Sequence, residues 1–165
     1  VNNSYSGTCV MNEYGYTTSA ENISRLQHST RFDNLPPDIM IIYMGNNDAL
    51  VQNLNTANFE KSYRNMLNNI YTLYPNIQLF LGTLSYEKYF VGKDYYQEHL
   101  LVTAEVNRII KSLAHEYNLP IIDFATAYSD SSYLFDTIHP NVLGMSALAN
   151  VAIDSISTFY NKTTF

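Results

Sequence analysis

Ile39-Met40-Ile41-Ile42-Tyr43-Met44-Gly45-Asn46-Asn47-Asp48 is the stretch that decides the fold of this chain. Six apolar residues follow one another without alternation, the pattern of a strand buried on both faces of a parallel sheet. The run stops at a glycine, where the backbone can turn sharply, and an Asn-Asn-Asp turn follows. Downstream, Phe59, Tyr63, Met66, Leu67, Ile70 and Tyr74 recur at helical spacing until Pro75 closes the pattern. Ile77 to Leu81 reads as a second buried strand running into Gly82-Thr83-Leu84. A Tyr-rich loop is expected over 85–96. Leu100, Leu101, Ala104, Ile109, Ile110, Leu113 and Tyr117 then mark a long amphipathic helix, and Leu119 to Phe124 a third strand. A last helix carries Met145, Leu148, Ala149, Ala152, Ile153, Ile156 and Phe159 on one face. Upstream the signal is weaker: Val1 to Thr8 reads as a strand end passing into a turn, and Ser19 to Gln27 as a short helix.

Alternating strands and helices predict an α/β fold, a three-layer α/β/α sandwich around a doubly wound parallel sheet of flavodoxin-like type. No repeat or linker interrupts residues 1–165, which are read as a single domain. Sites in such folds open at the carboxyl ends of strands. Gly7, Gly45 to Asp48, Thr83-Leu84 and Asp136 to His139 are all expected on that edge.

Composition narrows the function classes. A chain of 165 residues with 46% hydrophobic residues can build one real core. Its net charge of -6, with Lys and Arg scattered, argues against nucleic-acid and anionic-membrane partners, which need basic patches. Cys9 is the only cysteine, so neither an internal disulfide nor a cysteine zinc site is expected, and the compartment stays open between secreted and cytoplasmic. No apolar run approaches the roughly 18 residues of a membrane span. The histidines His28, His99 and His115 show no metal-ligand spacing, and no metal or cofactor is expected.

Three stretches carry chemistry. In Asp136-Thr137-Ile138-His139-Pro140-Asn141, an acid three residues before a histidine can hold the Nδ1 proton and leave Nε2 as a base. The competing reading is a solvated Asp capping a helix. In Gly45-Asn46-Asn47-Asp48, Asn47 offers a neutral amide donor for an oxyanion, Gly45 the turn, and Asp48 a carboxylate that fastens a loop by accepting backbone N–H bonds. Ser4-Tyr5-Ser6-Gly7-Thr8 supplies Gly7, whose backbone N–H is a candidate second donor. Arg25 is read either as a tie to this loop or as a surface residue.

Together these stretches resemble the SGNH hydrolases, the GDSL esterase and lipase family, defined by blocks holding Ser, Gly, Asn and His. Val1 to Thr8 looks like the second block, Gly45 to Asp48 like the third, and Asp136 to Asn141 like the last. The resemblance implies the SGNH hydrolase sandwich, His139 as base, Asp136 as its orienting acid, and Gly7 and Asn47 as the oxyanion hole. The family's Gly-Asp-Ser block lies upstream of the second block, and nothing here matches it. The expectation is therefore an N-terminally truncated domain with its first strand missing, whose serine comes from an upstream segment or a separate chain. Loss of that central strand is expected to bare apolar faces of its neighbours. Asp154-Ser155, Ser4, Ser6 and Cys9 are weaker candidates for the nucleophile; Asp154-Ser155 lies inside the last helix's unbroken pattern.

The expected activity is a serine esterase hydrolysing a short acyl ester, acetyl on a carbohydrate being the first choice. The Tyr-rich segments Tyr86 to Tyr96 and Tyr128 to Tyr133 are read either as sugar-stacking surfaces or as loop packing. The competing class is a nucleophile-less fragment or a non-catalytic carbohydrate-binding module. A nucleotide binder is disfavoured, because no Gly-rich phosphate loop follows a strand.

Overall fold

The computed structural model describes residues 8–11, 36–51, 53–85, 96–128, 130–136 and 138–163. Gly7, Arg25, His28, the expected 19–27 helix and most of the Tyr86 to Tyr96 segment lie outside these residues. The chain divides into two compact units, Val1–Leu79 and Phe80–Phe165. Strand and helix alternate through both, and the sheet order is β1-β2-β3, with β2 beginning in the first unit and ending in the second.

In the first unit β1 spans Ile39–Ile42, and the Gln78 N–H at the start of β2 donates to the Asp38 carbonyl at 2.9 Å. Gly45 then takes φ 123°, a left-handed value that penalises any side chain, which is why the apolar run ends where it does. A one-turn helix α1, Asn46–Ala49, follows at once. Helix α2 covers Thr56–Leu73 and is capped by Asn55, whose side chain accepts from the Asn58 N–H. It buries Phe59, Tyr63, Met66, Leu67 and Ile70, the predicted stripe without its last member. Full burial of such side chains stabilises by about 1.5–3 kcal/mol each.

One expectation about β1 is corrected. Its run was expected to be buried on both faces, yet Ile39 and Ile41 are 40% and 41% exposed while Ile42 is buried. Alternating residues of a strand point to opposite faces, and only the face of Ile42 is covered among the described residues.

In the second unit β2, Gln78–Gly82, pairs in parallel with β3, Ile121–Ile122, in the register Leu81 to Ile121 and Gly82 to Ile122. Phe80 and Leu81 are fully buried, as a strand covered on both faces requires. Between these strands runs helix α3, Tyr96–Glu116. Its buried face is Val106, Ile109, Ile110, Leu113 and Ala114 together with the polar His99, Thr103 and Asn107. Leu101, expected on that face, is instead 73% exposed, because position 101 lies off the stripe that 99, 103, 106 and 110 define. The third strand is shorter than predicted and gives way to a 3-10 turn at Phe124–Thr126.

Helix α4, Val142–Thr163, packs against β3 and the 3-10 turns at Phe124–Thr126 and Ser131–Tyr133. Phe159 meets Phe80 edge-on at 5.3 Å. Of the predicted apolar face only Leu148 is buried; Met145 and Ile153 are 57% and 60% exposed. Apolar residues surround this helix more evenly than a single stripe, and one side finds cover. By length and composition alone the span Val142–Lys162 is long and apolar enough to cross a membrane, and little of its apolar window is buried. Asn150 and Asp154 interrupt any continuous apolar run in this helix while its average stays apolar.

Candidate active site

The turn after β1 grips the segment that follows Gly7. Both carboxylate oxygens of Asp48 accept from the Val10 N–H, at 3.1 and 2.9 Å, and Oδ1 also accepts from the Met11 N–H at 2.9 Å. Asn47 Nδ2 donates to the Thr8 carbonyl at 2.9 Å. Asp48 is fully buried, and desolvation raises its pKa against the pull of the N–H donors from Val10 and Met11. A buried carboxylate without enough donors would neutralise or leave the core, so these bonds are what keep the turn in place. An Asn amide carries two hydrogens, so the bond to Thr8 leaves Asn47 one for a ligand.

Asp136 and His139 meet as the sequence predicts. His139 Nδ1 lies 2.8 Å from Asp136 Oδ2, while Asp136 Oδ1 accepts from the backbone N–H groups of Ile138 and His139, each at 2.7 Å. An ionised carboxylate only accepts, so Nδ1 carries the proton and Nε2 is the basic nitrogen. The two side chains are 47% and 72% exposed, the histidine more so. The His139 N–H, the His139 ring and the Ile138 N–H together lower the Asp136 pKa to about 2. Because the folded value lies below the ordinary 3.8, the contact is intact above that range and is lost as pH falls through about 2. An NMR titration of the Asp136 carboxyl carbon is expected to show its inflection near 2; one near 3.8 would contradict the geometry.

The helix-cap reading of Asp136 does not hold. Asn141 caps α4, its Oδ1 accepting from Leu143 and Gly144 at 2.9 and 3.1 Å. Its Nδ2 reaches back to the Ser132 and Leu134 carbonyls, so one side chain ties helix start to preceding turn. An Asn before a helix is a legible cap signal, and here it is Asn141 rather than Asp136 that fills the role. The Phe135 N–H donates to the His139 carbonyl at 2.8 Å, and the Asn141 N–H to Tyr133 at 3.0 Å, closing a short hairpin around the pair. Gly144 completes it: a Cβ there would lie 2.2 Å from the Tyr133 carbonyl oxygen and 2.9 Å from Pro140 Cβ. Gly144→Ala is expected to destabilise by about 1–3 kcal/mol, read as a lower midpoint in denaturant, since backbone rather than a pliable side chain must yield. An unchanged midpoint would refute that packing.

Other predicted residues fall into place one by one. Gly45 is the left-handed turn and Asp48 the loop fastener, as read from sequence. Cys9 is fully buried, and burial followed by the Asp48 charge raises its pKa to about 11, so it is no thiolate at neutral pH. Ser155 sits inside α4. Tyr128 stacks on Tyr133 with centroids 5.8 Å apart, and its hydroxyl lies 3.3 Å from Ser85 Oγ. Asp123 accepts from the Thr83 hydroxyl at 2.7 Å, and that hydroxyl accepts from the Ala125 N–H. Asn107, which the sequence reading passed over, takes both polar groups of Leu84 beyond β2: its Oδ1 accepts from the N–H at 2.6 Å and its Nδ2 donates to the carbonyl at 2.9 Å. Its one signal in the sequence is a polar Asn among the Val106, Ile109, Ile110 and Leu113 positions of an amphipathic helix. A shallow groove of about 590 Å³ between Phe135, Pro140, Val142, Met145 and Ala149 adjoins the hairpin. No group of three metal-ligating side chains occurs among the described residues.

Comparison with solved structures places the chain near a GDSL-like lipase from Bacteroides thetaiotaomicron VPI-5482, with TM-score 0.64 and 16% identity over 87% of this chain and 76% of that one. A catalytic mutant of Axe2, an acetylxylan esterase from Geobacillus stearothermophilus, matches with TM-score 0.64 and 18% identity over 84% and 67%. A family 3 carbohydrate esterase from Clostridium thermocellum matches with TM-score 0.62 and 18% identity over 90% and 69%. These likenesses establish the α/β sandwich of the GDSL hydrolases. No curated protein sequence matches. The model of the GDSL-like lipase/acylhydrolase family matches residues 3–147, a span that holds the Gly45 to Asp48 turn and the Asp136 to His139 hairpin, and the chain belongs to this family of ester hydrolases.

Proposed function

We propose that the protein is a serine esterase that cleaves a short acyl ester, in the first instance acetyl on a carbohydrate, through an acyl-enzyme. The observation that carries this reading is the 2.8 Å contact of Asp136 with His139 Nδ1, which presents Nε2 as the base. In the proposed cycle Nε2 takes the proton of a serine hydroxyl as its oxygen attacks the ester carbonyl. The imidazolium then protonates the leaving alcohol. Water next enters by the same base, and the acyl group leaves as a carboxylate. Asp136 orients the ring and stabilises its charged form, while Asn47 Nδ2 and the Gly7 N–H donate to the oxyanion. The serine is assigned to a segment upstream of Val1.

Three observations favour this assignment over the internal candidates. Ser155 is helical, Cys9 is buried with a raised pKa, and the bare Ile39 and Ile41 fit further chain packed over β1. The carbohydrate acetyl preference is supported by the acetylxylan esterase and carbohydrate esterase among the similar structures.

The test is hydrolysis of p-nitrophenyl acetate and of acetylated xylooligosaccharides by the native protein, followed by fluorophosphonate labelling and peptide mapping. Acetate release from both, with the label on an upstream serine, is expected. Label on a residue between Val1 and Phe165 would overturn the upstream assignment. Absence of hydrolysis would favour a carbohydrate-binding module without catalysis.

A further inference from the structure

We infer that Asp48 is a positioning residue for the Asn47 amide and that it acts through the backbone of Thr8 to Met11. This rests on the esterase reading above, in which Asn47 donates to the oxyanion.

Both ends of the linkage are side chains of one short helix, α1. Asp48 holds the Val10 and Met11 N–H groups with its two oxygens, at 2.9–3.1 Å. The same segment presents the Thr8 carbonyl to Asn47 Nδ2 at 2.9 Å. Helix, carboxylate, backbone segment and amide thus form a closed ring of bonds. An amide group turns freely about its last side-chain torsion unless one of its atoms is held. Thr8 holds one Nδ2 hydrogen, which sets the direction of the other. Thr8 in turn is placed by the grip on Val10 and Met11 two and three residues along.

The surroundings make the grip stiff rather than adaptable. Asp48, Cys9 and Met11 are at most 1% exposed, Val10 is 4% exposed, and the pKa of the fully buried Tyr63 is raised by burial first and by the charge of the nearby Asp48 second. Charge on Asp48 costs desolvation that its backbone N–H donors only partly repay, an arrangement that serves geometry better than stability.

Misplacing an oxyanion donor by about 1 Å costs on the order of 10²-fold in rate. Asp48→Asn keeps the shape but sets an amide hydrogen against N–H donors. It is expected to lower kcat for p-nitrophenyl acetate about 10²-fold with KM within about twofold, since the donor acts on the transition state. Added to Asn47→Ala, the same change is expected to cost less than about threefold, because the group it positions is gone. A purely structural Asp48 would cost the same in both backgrounds, and that result overturns the inference. So does a parental kcat in Asp48→Asn. If Asp48→Asn fails to fold, Asp48→Ser, which keeps an acceptor, is read the same way. In the unmodified protein the Val10 and Met11 amides must exchange slowly with deuterium; fast exchange of both refutes the grip without any variant. His139→Ala separates the two levels. A native protein without hydrolysis, or with hydrolysis indifferent to His139, removes the esterase reading and this inference with it. His139-dependent activity with an indifferent Asp48 removes the inference alone.

Discussion

His139→Ala is expected to lower kcat for p-nitrophenyl acetate by about 10⁴–10⁶-fold, with KM changed little. The expectation follows from the division of labour between the two ring nitrogens. Nδ1 is committed to Asp136 at 2.8 Å, so the proton of the attacking hydroxyl has only Nε2 to go to. Without the imidazole, the hydroxyl attacks at its own high pKa and the leaving alcohol departs unprotonated. Asp136→Asn is the companion measurement. An Asn amide can donate to Nδ1 and thereby favours the tautomer with its proton on Nε2, which costs about 10⁴-fold in the analogous serine-hydrolase arrangement. The hairpin itself should survive both changes. Its backbone closure from Phe135 to His139 and from Asn141 to Tyr133 needs neither ring nor carboxylate. A His139→Ala protein that retained more than about a tenth of the activity would show that the base lies elsewhere.

Asn47→Ala is expected to lower kcat by about 10²–10³-fold, the usual loss when one oxyanion donor is removed. Here a structural cost accompanies the catalytic one, because the bond from Nδ2 to the Thr8 carbonyl disappears as well. That bond contributes about 0.5–1.5 kcal/mol to stability. The two losses separate cleanly. Stability is read from the denaturant midpoint, and catalysis from kcat at a temperature where both proteins remain folded. A variant with a lowered midpoint but parental kcat would leave Asn47 as loop packing and would remove it from the oxyanion hole.

The two motifs were legible for different reasons. Asp136 and His139 are three residues apart, so a local turn suffices to join them, and sequence spacing carries the geometry. The grip of Asp48 on Val10 and Met11 spans 38 and 37 residues. Asp48 is legible in the sequence as a loop fastener but the loop it fastens is not, because a carboxylate's partners across such a distance depend on where α1 meets the segment after Gly7. Asn107 was missed for a related reason. A helix written with Leu, Ile and Val at helical spacing suggests an apolar face, and a polar residue within it looks like noise until Leu84 lies opposite with two unsatisfied groups.

By itself the sequence determined the order of strands and helices, the left-handed turn at Gly45, the pairing of Asp136 with His139 and membership of the GDSL hydrolases. All of these rest on local sterics, hydrophobic period or short spacing, which a chain carries wherever it folds. Tertiary structure alone decided which apolar residues are covered. Ile39, Ile41, Leu101, Met145 and Ile153 have the same side chains as their buried neighbours and remain in contact with solvent. It also decided the partners of Asp48 and Asn107. Burial and long-range hydrogen bonds are properties of the surface an element meets, and periodicity within the element contains no record of that surface.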